Sequence, residues 1–346
     1  MFGFVRWIAM AAMAFAAGGL AAAPRDGIDV RLTAATPVLR GDVDVVITVS
    51  VTNTHRHPVN LLRWQLPAEE VEGALFKITR DGERVAYTGP LVKRAAPGAA
   101  DHVRLDAGAT LSYEVELTAA YDLSRSGRYA VEYAARGRHG ASAAELRSEV
   151  LYLWLEGRSG KGLAAPAAPP VPTAALIAYT GNCSASQQST LVSAVAAATS
   201  YASSAVSYLS GMPAATQRYV KWFGAYSSAG RVTANAHFAS IHSAFASQAL
   251  TLDCKCKKPG TYAYVYPSQP YKIYLCGAFW NAPLTGTDSK GGTLIHEMSH
   301  FTVVAGTDDW AYGQTNAAAL AVSDPAKALD NADSHEYFAE NTPALP

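Results

Sequence analysis

Cysteine is scarce in this chain of 346 residues: four in all, and none before Cys183. The first half therefore forms no disulfide and offers no thiolate that could silence a metal ion. Charge is sparse too. Charged residues make up 16%, and 28 Lys and Arg balance 28 Asp and Glu, for a formal net charge of zero at pH 7. That balance lacks the basic excess expected of a nucleic-acid partner. Long apolar runs are missing beyond the start. There, Arg6 precedes an apolar run, Trp7 to Ala17, and the small residues Gly18, Gly19, Ala21, Ala22 and Ala23 follow. The run is shorter than the ~20 residues that span a bilayer. Charged start, short apolar core and small-residue end describe a cleaved secretory signal over residues 1–23. A secreted protein without a stable membrane anchor is expected.

Residues 24–158 alternate in polarity. Val30 to Thr33, Val43 to Val51, Leu111 to Leu117 and Tyr129 to Tyr133 read as strands with one wet face. Phe76 to Arg80, then Asp81-Gly82, then Glu83 to Tyr87 reads as a hairpin on a two-residue turn. Short strands at regular intervals predict an all-β, immunoglobulin-like sandwich. His55, His57, His102 and His139 lie scattered among polar residues and read as surface. Residues 159–176 are rich in Gly, Ala and Pro, cannot build a core, and form an extended linker. A protease would find such a linker easy to cut, so the sandwich is either a pro-segment or a retained accessory domain.

Residues 177–346 change character. Helices are predicted over Ser184 to Leu209, Thr216 to Tyr226 and Arg231 to Leu250, then strands over Thr261 to Tyr266 and Lys272 to Leu275 around a Pro-Ser-Gln-Pro turn. This is an α+β domain. His237 and His242 fall on a helix and read as core residues. The even cysteine count in an exported chain implies two disulfides among Cys183, Cys254, Cys256 and Cys276. Cys254 and Cys256 alternate along the chain and face opposite ways, which favours different partners. A zinc site built from these thiols is the disfavoured rival.

The chemistry sits in Thr293 to Gly313. His296-Glu297-Met298-Ser299-His300 is an H-E-x-x-H pattern, and residues four apart share a helix face. Two neutral imidazoles suit Zn²⁺, and a catalytic zinc takes three protein ligands with one position open. Glu297 is placed to act as general base. Leu294, Ile295, Met298 and Phe301 make the flanks apolar. Val303 and Gly306 stand where one known extension of the motif requires Gly and His, which excludes that class. Gly306 can end the helix in a left-handed turn. The third ligand could then be Asp308 or Asp309, or a later Glu336 or Glu340. Tyr312 could offer a phenol to an oxyanion.

H-E-x-x-H followed by G-T-x-D-x-x-Y-G resembles the deuterolysin family of zinc endopeptidases, the aspzincins, and 177–346 would then be a zincin-like metallopeptidase domain. The resemblance implies that His296, His300 and Asp309 bind one zinc, that Glu297 is the base, and that Tyr312 is the transition-state donor. Cysteine spacing is similar to the peptidyl-Lys branch, implying Cys183–Cys254 and Cys256–Cys276. Asp333 and Glu336 also sit in an A-D-S-x-E-Y-F setting like that branch. On residue pattern alone they form a helix capping box, Asp333 as N-cap. The resemblance makes them the floor of a lysine pocket, with His335 turned away. It implies cleavage of protein or peptide substrates with lysine on the C-terminal side of the scissile bond, and a mature start near Ala178–Thr180. Alternatives are a broad deuterolysin-type peptidase and a non-catalytic zinc-containing binding module. The N-terminal domain could inhibit in cis by steric, carboxylate, histidine or backbone contacts. Gly160–Lys161 is then a bond the enzyme could cut for itself.

Overall fold

The computed structural model describes residues 27–67, 71–135, 146–160 and 177–346. The leader at 1–23, His139 and linker residues 161–176, with the Gly160–Lys161 bond, lie outside the described residues.

The N-terminal part is all β. Its strands are β1 (Ile28–Thr33), β2 (Val38–Arg40), β3 (Val46–Asn53), β4 (Val59–Leu62), β5 (Phe76–Arg80), β6 (Glu83–Arg84), β7 (Leu91–Arg94), β8 (His102–Leu105), β9 (Thr110–Glu116), β10 (Gly127–Ala135), β11 (Leu146–Arg147) and β12 (Leu151–Glu156). One sheet runs β1-β3-β9, a second β2-β12-β10-β5-β6 with β11 against β10, and β4 pairs with β8. Alternation decides which face is wet: Ile47, Val49 and Val51 of β3 are buried, as are Tyr129, Val131 and Tyr133 of β10. These inward residues join one apolar cluster drawn from both larger sheets. Full burial of each such side chain stabilises by about 1.5–3 kcal/mol. The expected hairpin forms, with Asp81 and Gly82 both at positive φ (51° and 91°). Its second strand ends at Arg84 rather than Tyr87.

From residue 177 on come β13 (Ile177–Thr180), α1 (Ala185–Gly211), α2 (Gln217–Phe223), α3 (Ser228–Ser247), β14 (Leu250–Asp253), β15 (Thr261–Val265), β16 (Lys272–Leu275), α4 (Gly277–Asn281), α5 (Lys290–His300), α6 (Gln314–Ser323), α7 (Pro325–Leu329) and α8 (Ala332–Glu340). Helix α1 starts at a capping box of Ser184 and Gln187. It buries Leu191, Ala194, Ala198, Ala202, Ala205 and Leu209, a stripe at helical spacing whose small residues let α3 and α5 approach. The third helix starts and ends three residues before its expected bounds. Gln248 is extended, and Leu250 and Leu252 are buried as strand β14 instead. The two disulfides are Cys183–Cys254 and Cys256–Cys276, as the resemblance implied. They tie segments 71 and 20 residues apart, worth on the order of 3–4 kcal/mol each if stabilisation comes from chain entropy.

The C-terminal sheet holds the main structural surprise. Its order is β13-β14-β16-β15-β7. Strands β13, β14 and β16 are parallel, and β15 is antiparallel to β16. The fifth strand, β7, comes from the N-terminal part and pairs antiparallel with β15, with a register shift between Thr261 and Ala263. A segment from the N-terminal part thus completes the edge of the sheet behind α5.

Candidate active site

Helix α5 is buried along its whole length. Ser289 caps it, its Oγ accepting from Gly292 N at 2.9 Å. Glu340 of α8 closes the same end: Oε1 accepts from Ser289 N (2.8 Å) and Ser289 Oγ (2.7 Å). Gly292 is required here, because a Cβ would stand 2.0 Å from Glu340 Oε1. Burial, with the neighbouring Glu336 charge, pushes the Glu340 carboxyl up to about 8. Glu340 is thereby committed to the helix start and is not among the residues gathered around the imidazoles, so it drops out as a third ligand.

The two histidines are held by their far nitrogens. His300 Nδ1 donates to Thr307 O at 2.8 Å, and His296 Nδ1 lies 2.8 Å from Asp333 Oδ1. Fixing both Nδ1–H groups leaves both Nε2 lone pairs facing one point. The Nε2 atoms are 3.1 Å apart, and Asp309 Oδ1 lies 3.2 Å from one and 3.4 Å from the other. Ligands at about 2.0–2.1 Å around a tetrahedral zinc stand roughly 3.3 Å apart, so the triangle fits the ion. The chain turns back to bring Asp309 there. Helix α5 stops at His300, not at Gly306, because Phe301 is extended; Gly306, at φ 64°, then closes the turn by donating to Phe301 O. Asp308 accepts from Asp309 N through Oδ1 and pairs its backbone with Asn331, so it is Asp309 that reaches the imidazoles.

Glu297 is wholly buried, and neither of its carboxylate oxygens has a hydrogen-bond partner among the described residues. An orphan acid beside three converging ligands is suited to a water that the ion would bring. Burial, moderated by His296 and His300, pushes it up to about 7. Tyr312 is also buried, and burial together with the Asp309 charge holds its phenol far above its ordinary value, so it remains an O–H donor.

Behind His296 lies a second acidic group. Asn331, not Asp333, is the N-cap residue of α8, so the capping-box reading of Asp333 and Glu336 fails. Asp333 Oδ2 instead accepts from Gly313 N at 2.6 Å, and Oδ1 faces His296. Both acids are fully buried. Between them sits Lys93 of β7, itself 0% exposed. Its Nζ lies 2.5 Å from Glu336 Oε2, 3.5 Å from Asp333 Oδ1 and 3.6 Å from Asp288 Oδ1. The rings of Tyr262 and Tyr337 flank it at 5.2 and 5.7 Å. Burial would lower the Lys93 ammonium, but the charges of Asp333, Glu336 and Asp288 outweigh it and raise it well above its usual value. His296, Asp333 and Glu336 also lie close enough together to form a metal cluster, yet the ammonium already supplies the positive charge there.

His335, the residue between the two acids, points away from the lysine. Its Nε2 lies 3.0 Å from His237 Nδ1, and its ring packs on Phe223 and Phe238. His237 and His242 are half-buried, as are His55 and His102, while His57 is exposed. The sequence reading missed Lys93, Arg94 and Asp288. The signal available for the first was a lysine in the short run Leu91-Val92-Lys93-Arg94 of a chain whose acids suggested lysine binding.

A family model described as lysine-specific metallo-endopeptidase, aspzincin, matches residues 208–340. An extracellular protease of Aeromonas hydrophila is 45% identical over 331 residues, covering 92% of this chain and 93% of that protein. A peptidyl-Lys metalloendopeptidase of Grifola frondosa is 40% identical over 319 residues, covering 86% of this chain and 88% of that one. Another, from Pleurotus ostreatus, is 55% identical over 165 residues, covering 47% of this chain and 97% of its own length.

Proposed function

The chain belongs to the aspzincin family of lysine-specific metallo-endopeptidases, and from that premise we propose that residues 177–346 cut on the N-terminal side of lysine while residues 24–158 hold that site shut in cis. It is a zinc endopeptidase with lysine-directed specificity. We read residues 24–158 as a sandwich of immunoglobulin-like outline built on the two larger sheets, with β7 lent to the C-terminal sheet and 159–176 as the linker. The chain is exported: the Aeromonas relative is named an extracellular protease, and residues 1–23 have the composition of a leader. No helix among the described residues is long and apolar enough to cross a membrane.

His296, His300 and Asp309 hold the zinc. When bound there, the ion supplies a Lewis acid and lowers the pKa of water towards ~7. Glu297 takes the proton from the water that attacks the carbonyl carbon and passes it to the departing lysine nitrogen. Tyr312 donates to the oxygen that gains charge. Asp333 and Glu336 bind the substrate ammonium, with Asp288 at its side. An apolar side chain in that place would leave two buried carboxylates unpaired, which is how the pocket selects.

One observation carries this reading: the Lys93 ammonium already fills the acidic pocket, on a strand laid along the edge of the same sheet. Adding a strand to a sheet edge is a common way to bind an extended peptide. The N-terminal part therefore presents a lysine where a substrate lysine belongs and excludes any other. Cut sites mapped in an unfolded protein mixture test it. Cleavage before lysine, abolished by a chelator and faster for Lys93→Met than for the unaltered chain, is expected. Cuts spread over many residue types would remove the pocket assignment. Equal rates for the two chains would remove the inhibition.

A further inference from the structure

The cis-inhibition reading, on which this step rests, leaves a puzzle. A lysine enzyme with a lysine strand in its cleft should cut that strand. The bond at risk is Val92–Lys93, on the N-terminal side of the bound lysine. Its carbonyl oxygen accepts a hydrogen bond from Nη1 of Arg94 at 3.3 Å. The same Nη1 lies 3.3 Å from the Tyr312 hydroxyl. One guanidinium nitrogen thus stands between the carbonyl of the bond at risk and the phenol assigned to stabilise it. Nη2 is anchored to Glu72 Oε2 at 2.6 Å, and the guanidinium packs over Trp64 at 5.3 Å. Glu72 and Trp64 belong to the N-terminal part, and Glu72 also pairs with Lys258 across the junction. Beside them opens a cleft of about 610 Å³, lined by Trp64, Glu72, Arg94 and Lys258, into which a released guanidinium could swing.

We propose that Val92–Lys93 is the enzyme's own cleavage site and that Arg94 keeps it uncut by bridging the Val92 carbonyl and Tyr312. Arg94 is a positioning residue: it holds Tyr312 and the carbonyl oxygen apart in a fixed, unreactive arrangement. Once it withdraws, Tyr312 donates directly to the Val92 oxygen. Water then adds to the Val92 carbon, and the C–N bond breaks. Val92 leaves as a carboxylate and Lys93 as a new amino terminus. No reactant beyond water is needed. The cut severs the strand that blocks the cleft, so inhibition ends with the first turnover.

The test follows the full, zinc-loaded chain by mass spectrometry and amino-terminal sequencing. Arg94→Ala should release a fragment beginning at Lys93 at least tenfold faster than the unaltered chain, at a rate independent of protein concentration. Arg94→Lys should fall between them. Adding Glu297→Gln should abolish the fragment. Should Arg94→Ala fold poorly, Glu72→Gln, which loosens the anchor and leaves the guanidinium, should give a smaller acceleration at the same bond. An Arg94→Ala or Glu72→Gln chain that cuts added lysine peptides but leaves Val92–Lys93 no more labile overturns the proposal. That outcome differs from failure of the underlying reading, in which Lys93→Met leaves the rate on added peptides unchanged.

Discussion

Asp333 Oδ1 lies 2.8 Å from His296 Nδ1, and the same oxygen is 3.5 Å from Lys93 Nζ. One carboxylate oxygen thus faces both a histidine of the candidate metal triangle and the Lys93 ammonium. Glu336 makes the shorter contact to the lysine, while its Oε2 stands 3.5 Å from the histidine. On the proposed assignment, metal affinity and lysine preference would be coupled through Asp333 more than through Glu336.

Asp333→Asn should weaken zinc binding about 10–100-fold, the usual result of losing a carboxylate behind a histidine ligand, and should also erode lysine preference. Glu336→Gln should erode preference with zinc affinity within a few-fold of normal. Competition against a chelator of known affinity and cleavage profiling on a peptide mixture would separate the two. Equal zinc affinity in both variants would break the coupling.

Glu297→Gln should fold and retain one zinc per chain while turnover falls by about 10²–10⁴, the range for loss of a positioned acid–base group. The side chain is buried without a hydrogen-bond partner among the described residues, so an amide of the same shape removes a proton carrier without breaking a bond. Metal analysis and peptide hydrolysis on the same sample check this. Full activity in a zinc-replete variant would move the base elsewhere.

Zinc removal should lower stability as well as activity. Asp309 Oδ1 lies 3.2 and 3.4 Å from the two imidazole nitrogens, a crowding of acceptors that a cation between them would relieve, and a ligand at 100 times its Kd adds about 2.7 kcal/mol to the folded state. The melting temperature should drop on chelation and recover with zinc. His300→Ala should start low and respond little.

The legible parts of the molecule were those with local signals. His296 and His300 are four apart among apolar neighbours, and Asp81-Gly82 marks its own turn. Asp309 was another matter. It adjoins Asp308, and the choice depends on Thr307 O holding His300 Nδ1 and on Asn331 pairing with Asp308, neither of which spacing reveals. Capping chemistry even misled: Asp333 and Glu336 have the right spacing for a box, but the N-cap position falls at Asn331, which places both acids inside the helix. Strand β7 was invisible because its partner, β15, lies far along the chain, and strand preference depends more on such neighbours than on the residues themselves.

The junction between the two parts should be acid-sensitive, and Glu72 gives the sign. Burial alone would raise its carboxyl, but the Lys258 and Arg94 cations outweigh burial and hold it below the ordinary 4.5. A group with a depressed folded pKa binds fewer protons folded than unfolded. Its stabilisation is therefore present above about pH 4.5 and is lost as pH falls through the folded value. Because Glu72 grips both Arg94 and, across the junction, Lys258, what acid loosens is the anchor of β7. Amide hydrogen exchange over Leu91–Arg94, compared at pH 5 and pH 3 after correction for intrinsic rates, should show protection falling with acid. Glu72→Gln should begin less protected at pH 5 and change less. If the two chains lose protection in parallel, Glu72 is not the acid-sensitive contact.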